Sequence, residues 1–114
     1  MKNHAHGSLA HFEIVGGDAA QMGHFYAGLF DWKIVPKGPG YALIETPDDG
    51  PNGAIVEMET SSITMGITVK NLAETLSKAE KSGGTVTMPV TDNGWVKKAQ
   101  ITDPSGNVVT LIEL

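Results

Sequence analysis

Two amphipathic stretches, each preceded by a strand-like run, predict a chain that contains both helices and strands. Asp18 and Asn71 are suitable N-caps, because their side chains can accept the free backbone N–H groups of a first helical turn. Apolar residues then recur at helical spacing, which predicts one buried face on each helix. These residues are Met22, Phe25, Tyr26 and Leu29 in the first helix and Leu72, Leu76 and Ala79 in the second.

Runs rich in β-branched and aromatic residues predict three further strands after each helix. In the first set, the turn-forming residues 47–53 separate two runs and predict a hairpin of 41–46 with 54–59. In the second set, Asp103-Pro-Ser-Gly-Asn107 is a tight-turn signal before the last strand. The predicted order is therefore βαβββ twice, an α+β fold class.

The two copies align at an offset of 53 residues without gaps. Pro36 then falls on Pro89 and Gly53 on Gly106, and such turn residues mark where elements end. We predict a disordered N-terminal leader (1–8) and a single domain (9–114), with module one at 9–60 and module two at 61–114. A duplicated module usually binds its ligand where the copies meet, which directs attention to the inner faces of the strands.

Composition narrows the classes of function. The net charge is −5 and the chain has no basic cluster beyond Lys97-Lys98, so nucleic-acid binding is disfavoured. The chain has no apolar run of the length of a membrane span and no apolar core of a signal peptide, and we expect no membrane association. The absence of cysteine excludes thiol catalysis and zinc–thiolate sites and suits the cytoplasm.

Several segments together resemble the vicinal oxygen chelate superfamily, which includes glyoxalase I, bleomycin-resistance proteins, methylmalonyl-CoA epimerase and extradiol dioxygenases. The segments are His11–Asp18, Phe25-Tyr26, Leu29-Phe30-Asp31-Trp32 and the turn at 103–107 with the strand after it. The resemblance implies a cupped mixed β-sheet with the helices outside, and a ligand cavity in each cup. For a short chain it also implies a homodimer.

The resemblance places metal ligands on the first and fourth strand of each module. At the 53-residue offset these positions are His11 and Glu57 in module one and Thr64 and Thr110 in module two. Only His11 and Glu57 are metal-ligating residue types, so the implied site is half complete. A catalytic divalent ion normally keeps at least three protein ligands. We therefore expect no cofactor, with a divalent Zn, Ni, Fe or Mn ion as the alternative.

Other residues near these positions are weaker candidates. Glu13 shares the face of His11, whereas Glu113 lies an odd number of residues from Thr110 and should point away from the cup. Asp103 is expected to bond its own backbone. Trp95, on a predicted loop, is a candidate cavity wall.

Three functions stay open at this stage. The first is metal-free binding of a small organic molecule, with His11, Glu57, Thr64, Thr110 and Trp95 as lining residues. The second is a metal-assisted lyase, isomerase or epimerase of the glyoxalase I type, with Glu57 or Glu13 as general base. The third is a protein-interaction domain without a ligand.

Overall fold

The computed structural model describes residues 4–114, and within them two helices and eight strands follow the predicted order. The elements are β1 (Leu9–Gly16), α1 (Ala19–Phe30), β2 (Lys33–Gly38), β3 (Tyr41–Glu45), β4 (Asn52–Glu57), β5 (Ser62–Val69), α2 (Leu72–Lys81), β6 (Thr85–Asp92), β7 (Lys97–Thr102) and β8 (Val108–Glu113). The α+β class and the repeated βαβββ order are confirmed. In residues 4–114, neither helix has the length and apolar character needed to cross a membrane.

The chain divides into two compact units. One is His11–Thr64, and the other is Met65–Leu114 together with the N-terminal residues through Ala10. We refer to β1–β4 with α1 as module one and to β5–β8 with α2 as module two. The boundary at Thr64 lies close to the seam expected from the sequence at residue 61.

Module one is a mixed sheet in the order β2-β3-β4-β1. Strands β2, β3 and β4 are antiparallel neighbours, which confirms the predicted β3–β4 hairpin, whereas β1 runs parallel to β4. Helix α1 covers one face of this sheet, where Ile14, Ala42, Ile44 and Ile55 form the buried core. Met22 and Tyr26 pack on that core, as their helical spacing predicts.

Two residues of the predicted apolar face of α1 lie outside the core. Phe25 is 57% exposed and Leu29 is 59% exposed, so their assignment to the buried face is wrong. The sheet-facing positions of α1 are instead Ala19, Met22 and Tyr26. Phe25 makes an edge-to-face contact with the Tyr26 ring, with 5.2 Å between the ring centroids. The rest of the Phe25 side chain stays exposed.

Module two repeats this arrangement in the order β6-β7-β8-β5, with β5 parallel to β8. Its core consists of Val69, Leu72, Ala99 and Leu111. Asn71 caps α2 by accepting the Glu74 N–H at 2.9 Å, and the predicted Glu74–Lys78 pair forms at 3.2 Å. Both N-caps read from the sequence are confirmed, since Asp18 accepts the Gln21 N–H at 2.9 Å in α1.

Residues 4–8 differ from the disordered leader that we expected over residues 1–8. The Gly7 N–H donates to the Thr68 carbonyl at 2.7 Å, and the Thr68 N–H donates to the Ser8 carbonyl at 3.0 Å. The Thr68 hydroxyl donates to the Ala5 carbonyl at 2.6 Å. These bonds hold residues 5–8 beside β5, where their backbone groups find hydrogen-bond partners on Thr68. Residues 1–3 lie outside the described part of the chain.

The 53-residue offset holds for β1, α1 and their counterparts, but it fails for the later strands. Register pairs Gly16 with Glu57 in module one and Val69 with Glu113 in module two, so β4 and β8 are related by 56 residues. Gly53 lies inside β4, whereas Gly106 lies in a turn with φ of 91°. The sequence match between those two glycines was therefore coincidental.

The change of offset comes from the hairpins. The β2–β3 connection is tight, with Gly38 paired to Tyr41, whereas β6 and β7 are joined by a longer loop between Asp92 and Lys97. That loop contains Trp95. A gapless alignment cannot detect an insertion in one hairpin, so every residue after it was matched to the wrong partner.

Candidate functional site

A cavity of about 570 Å³ opens between α1 and the β2–β3 hairpin of module one, and we call it the α1 groove. Its walls are mainly apolar. The residues that line it are Asp18, Ala19, Ala20, Gly23, His24, Ala27, Ile34, Pro36, Gly38, Pro39, Gly40, Tyr41, Ala42 and Glu57.

The groove exists because α1 presents small side chains to the hairpin. Ala20, Gly23 and Ala27 occupy this side of the helix. A Cβ atom at Gly23 would lie 3.2 Å from Cγ2 of Ile34, so the helix and β2 approach closely at that point. Beyond it, the short alanine side chains leave the space unfilled. The missing volume is therefore a property of the residue types on α1.

The hairpin that forms the opposite wall turns through a glycine with positive φ. Gly40 has φ of 71°, in the left-handed region that other residues rarely adopt. A Cβ at Gly40 would lie 3.1 Å from Cβ of Glu57 and 3.6 Å from its Oε2. Glycine at this position thus lets the turn pass beside the Glu57 carboxylate.

Glu57 lies at the end of β4 and points towards α1. Its Oε1 accepts the Ala19 N–H at 3.0 Å, which satisfies one of the free amides of the first helical turn. The carboxylate is placed there by strand register, since Glu57 is paired with Gly16 at the end of β1 where the chain enters the helix. It borders the α1 groove, on the side of the sheet that faces the helix.

His11 lies on the other side of the sheet, and this corrects the predicted pairing of His11 with Glu57. His11 is paired with Asn52, five residues before Glu57 on β4, and successive strand residues point to opposite faces. The two side chains therefore cannot ligate one ion in a common cup. Glu13, two residues after His11, shares its face, as the sequence predicted.

The residue of β4 that corresponds to Thr110 is Ala54. Glu13 is paired with Ala54 in module one, and Gly66 is paired with Thr110 in module two, at the 53-residue offset of the first strands. The positions implied for metal ligands are therefore His11, Ala54, Thr64 and Thr110. A methyl group cannot ligate, and a neutral hydroxyl is a poor ligand, so these residues do not fit a catalytic divalent ion.

The rest of the described chain offers no fuller set of ligands. Within residues 4–114, no group of three or more histidine and carboxylate side chains is arranged to hold a metal ion. Near the implied first-strand position, His11 and Glu13 share one face of β1 and are two donors, fewer than the three that a catalytic ion normally keeps. The donor set is thus insufficient for the metal chemistry that the resemblance allowed.

The two threonines are buried on their strands. Thr64 and Thr110 are each 9% exposed. The Thr110 hydroxyl accepts a hydrogen bond from Nε2 of Gln100 at 3.2 Å, so it serves a bond within the sheet of module two. Neither threonine borders the α1 groove.

Trp95 and Glu113 are both in module two and have different environments. Trp95 is 87% exposed in the β6–β7 loop and does not line the α1 groove. Glu113 points towards α2, where its Oε2 accepts the Leu72 N–H at 2.9 Å. Glu113 is thus the structural counterpart of Glu57, and each glutamate binds the first amide of its module's helix.

Asp103 bonds its own turn, as expected. Its Oδ1 accepts the N–H groups of Ser105 and Asn107, each at 2.9 Å, and Oδ2 accepts the Asn107 side-chain amide at 2.8 Å. The Asn107 side chain, and then the backbone N–H groups, lower the pKa of the Asp103 carboxyl below its ordinary value of 3.8. This carboxylate is structural.

Sequence reasoning missed the α1 groove. The available signal was the series of small residues at positions 19, 20, 23 and 27, which gives α1 too little volume to fill the space against β2. An amphipathic pattern identifies which positions are apolar but does not measure their size. Comparing side-chain volumes between the two helices would have revealed the difference.

The chain consists of two tandem βαβββ modules, and each has a helix on one face of a mixed sheet. This architecture defines its fold class. A family model for the Glyoxalase/Bleomycin resistance protein/Dioxygenase superfamily matches residues 8–111. The chain belongs to this superfamily. No curated protein sequence matches the chain.

Solved structures support the fold. Methylmalonyl-CoA epimerase from Mycobacterium tuberculosis is 15% identical, with a TM-score of 0.72 over 92% of this chain and 86% of that one. The Mn(II)-bound glyoxalase from Novosphingobium aromaticivorans is 13% identical, with a TM-score of 0.69 over 90% of this chain and 37% of that one. An extradiol ring-cleaving dioxygenase from B. fuscum is 17% identical, with a TM-score of 0.68 over 91% and 31% of the two chains. At such identities the likeness establishes the fold and leaves the chemistry to the residues of the site.

Proposed function

We propose that the protein binds a small organic molecule and that the α1 groove is a binding site for it. The observation that carries this proposal is the groove itself. Its volume of about 570 Å³ falls within the range of small-molecule pockets, and its walls are mainly apolar with a few polar groups. The polar side chains among the lining residues are those of Asp18, His24, Tyr41 and Glu57.

Metal-assisted lyase, isomerase or epimerase chemistry is a weaker candidate for this chain. It requires a Lewis-acidic ion held by several protein donors, with a general base beside it. Ala54, Thr64 and Thr110 occupy three of the four implied ligand positions. Glu57, the predicted base, binds the α1 amide on the opposite face from His11. Glu13 keeps the face of His11 and stays the remaining candidate for a base.

Homodimer formation and a cytoplasmic location stay predictions, and light scattering of the purified protein would decide the first. The observation that favours a pure protein-interaction role is the set of exposed apolar side chains, such as Phe25 and Leu29 on α1 and Ile63 and Trp95 in module two.

The experiment uses an uncharged probe, 4-phenylbutanol, titrated into ¹⁵N-labelled protein. Chemical-shift changes should concentrate on residues that line the α1 groove, including Gly23, Gly40 and Tyr41. The Ala20→Phe variant should lose this response, because a benzyl group on the exposed side of α1 would fill the groove. Ala20 is an exposed residue, so the variant should keep the fold.

The matched control is Ala73→Phe. Ala73 occupies the same helical position in α2, two residues after the N-cap, and is also exposed. The Ala73→Phe variant should bind the probe as tightly as the wild type does. Shifts that map elsewhere, or equal binding by Ala20→Phe, would overturn the assignment of the groove.

A further inference from the structure

The charge around the α1 groove is negative. Asp18 and Glu57 both border the groove at the N-terminal end of α1, and none of its lining residues is lysine or arginine. The ionisable base among them is His24. An anionic molecule placed there would meet two like charges, whereas a cationic group would be attracted.

Glu57 has one carboxylate oxygen engaged and one available. Oε1 accepts the Ala19 N–H at 3.0 Å. Oε2 lies on the side of Gly40, 3.6 Å from where a Cβ of that residue would be. Within residues 4–114 the ion pairs are Lys33–Glu45 and Lys78–Glu74, so Glu57 has no cationic partner in that part of the chain.

The backbone keeps this oxygen accessible. With glycine at position 40, no side chain stands between the turn and the carboxylate, and Glu57 is itself an exposed residue. The bond to Ala19 holds the carboxylate at the mouth of the groove, so a ligand does not need to order it. Fixing an acceptor in advance lowers the entropic cost of binding.

We propose that the molecule held in the α1 groove is an amine with an apolar body, and that Glu57 is its counter-charge. This inference rests on the proposed function. The apolar body would lie against Ala20, Ala27 and Ile34, and the ammonium group would donate a hydrogen bond to Oε2 of Glu57. A hydrated metal ion fits less well, because most of the wall is apolar and offers it no ligands.

The experiment compares three probes that share one body: 4-phenylbutylamine, 4-phenylbutanol and 4-phenylbutanoate. Wild-type protein should bind the amine about three- to tenfold more tightly than the alcohol, as expected for a partly exposed charged hydrogen bond. The carboxylate should bind most weakly. Dissociation constants follow from the same NMR titration, read at the groove residues.

Two variants isolate the carboxylate. Glu57→Gln removes the charge but keeps an oxygen for the Ala19 amide, and it should bring the affinity for the amine down to that for the alcohol. Glu113→Gln is the matched control, because Glu113 makes the equivalent bond to α2 away from the groove. It should preserve the order of the three probes.

The outcomes separate the two proposals. If no probe binds in the groove, the proposed function fails. If the alcohol binds there as tightly as the amine, the proposed function stands and the amine inference is overturned. The ranking in wild-type protein does not depend on either variant, so it decides the matter even where a variant fails to fold.

Discussion

The two modules share one scaffold but fill it differently. Each has a mixed four-stranded sheet, an N-capped helix and a glutamate that binds the first helical amide. Among the matched helical positions that differ, three carry a smaller residue in α1: Ala19 against Leu72, Gly23 against Leu76, and Ala27 against Glu80. Leu72 is 1% exposed and Leu76 packs on the module-two core, whereas α1 leaves a groove. A binding space can therefore arise where a helix carries small side chains opposite a strand and its hairpin, within a shared order of elements.

The largest expected effect comes from giving module two the module-one residue at the start of its helix. Leu72→Ala should lower the free energy of unfolding by about 2–5 kcal/mol, because it leaves a cavity beside Val69, Ala99 and Leu111. Urea denaturation followed by circular dichroism measures this change. Leu114→Ala, at a 57% exposed position, is the control and should cost far less. A loss below about 1 kcal/mol for Leu72→Ala would mean that α2 tolerates a groove as readily as α1.

A second difference lies between the paired residues of the parallel strands. Module one pairs Phe12 with Gly53, and module two pairs Met65 with Val109 at the matched positions. A Cβ at Gly53 would lie 2.6 Å from both the Phe12 ring and the Phe12 carbonyl oxygen, which is closer than real contacts allow. Module one thus pairs a large aromatic side chain with a residue that has no side chain. Module two pairs two side chains of intermediate size.

Gly53→Ala tests how strictly that combination is fixed. We expect a loss of about 1–3 kcal/mol, because the ring and the β1 backbone must both move to accept the methyl group. Thermal unfolding measures the effect. Gly28→Ala is the control, since Gly28 lies on α1 with open space around its Cβ position, and it should stabilise the protein by about 0.5–1 kcal/mol. Equal behaviour of the two variants would contradict the packing argument.

The paired glutamates sharpen the comparison with a smaller effect. Glu57→Ala and Glu113→Ala each remove the acceptor from a first-turn amide, and each should cost about 0.5–1 kcal/mol. Denaturant titration of both variants checks that the two costs are similar. Glu59→Ala, at an exposed position shortly after β4, is the control and should be close to neutral. Markedly unequal costs would show that the two glutamates are not equivalent caps.

The elements were predictable because they depend on local patterns. Asp18 and Asn71 were identified as N-caps from residue type alone, and the 103–107 turn was identified from its own side chains. The repeated order and the family resemblance followed from the same short segments. Each of these features is decided within a few residues of chain.

The candidate site was less predictable because it depends on register and volume. Glu57 was assigned to the wrong face, since a gapless offset ignored the longer hairpin that carries Trp95. One wrong residue of register moves a strand side chain to the other face. The α1 groove depends on the sizes of residues on α1, such as Gly23, and a pattern of apolar positions does not record size.

The smallest effect concerns the turns that precede the last strand of each module. Module two uses the ionised Asp103, whereas module one uses neutral groups, because the Thr46 N–H donates to Asn52 Oδ1 at 3.1 Å. The pKa of Asp103 is lowered in the folded protein, chiefly by the Asn107 side chain, so the folded state favours the charged form. Its stabilising contribution is complete above the ordinary value of 3.8 and is lost as the pH falls through the lowered pKa.

Asp103→Asn should therefore destabilise the protein about equally at pH 6 and pH 4, and the loss should become smaller as the pH falls below 3.8. Urea midpoints at pH 6, 4 and 3 for the wild type and the variant measure the difference. Asn52→Ala in the module-one turn is the control: it removes a neutral acceptor from the Thr46 N–H, so its cost should not change with pH. If the gap between wild type and Asp103→Asn stays constant with pH, the Asp103 charge does not stabilise the turn. The two modules would then close their last hairpins by equivalent neutral hydrogen bonds.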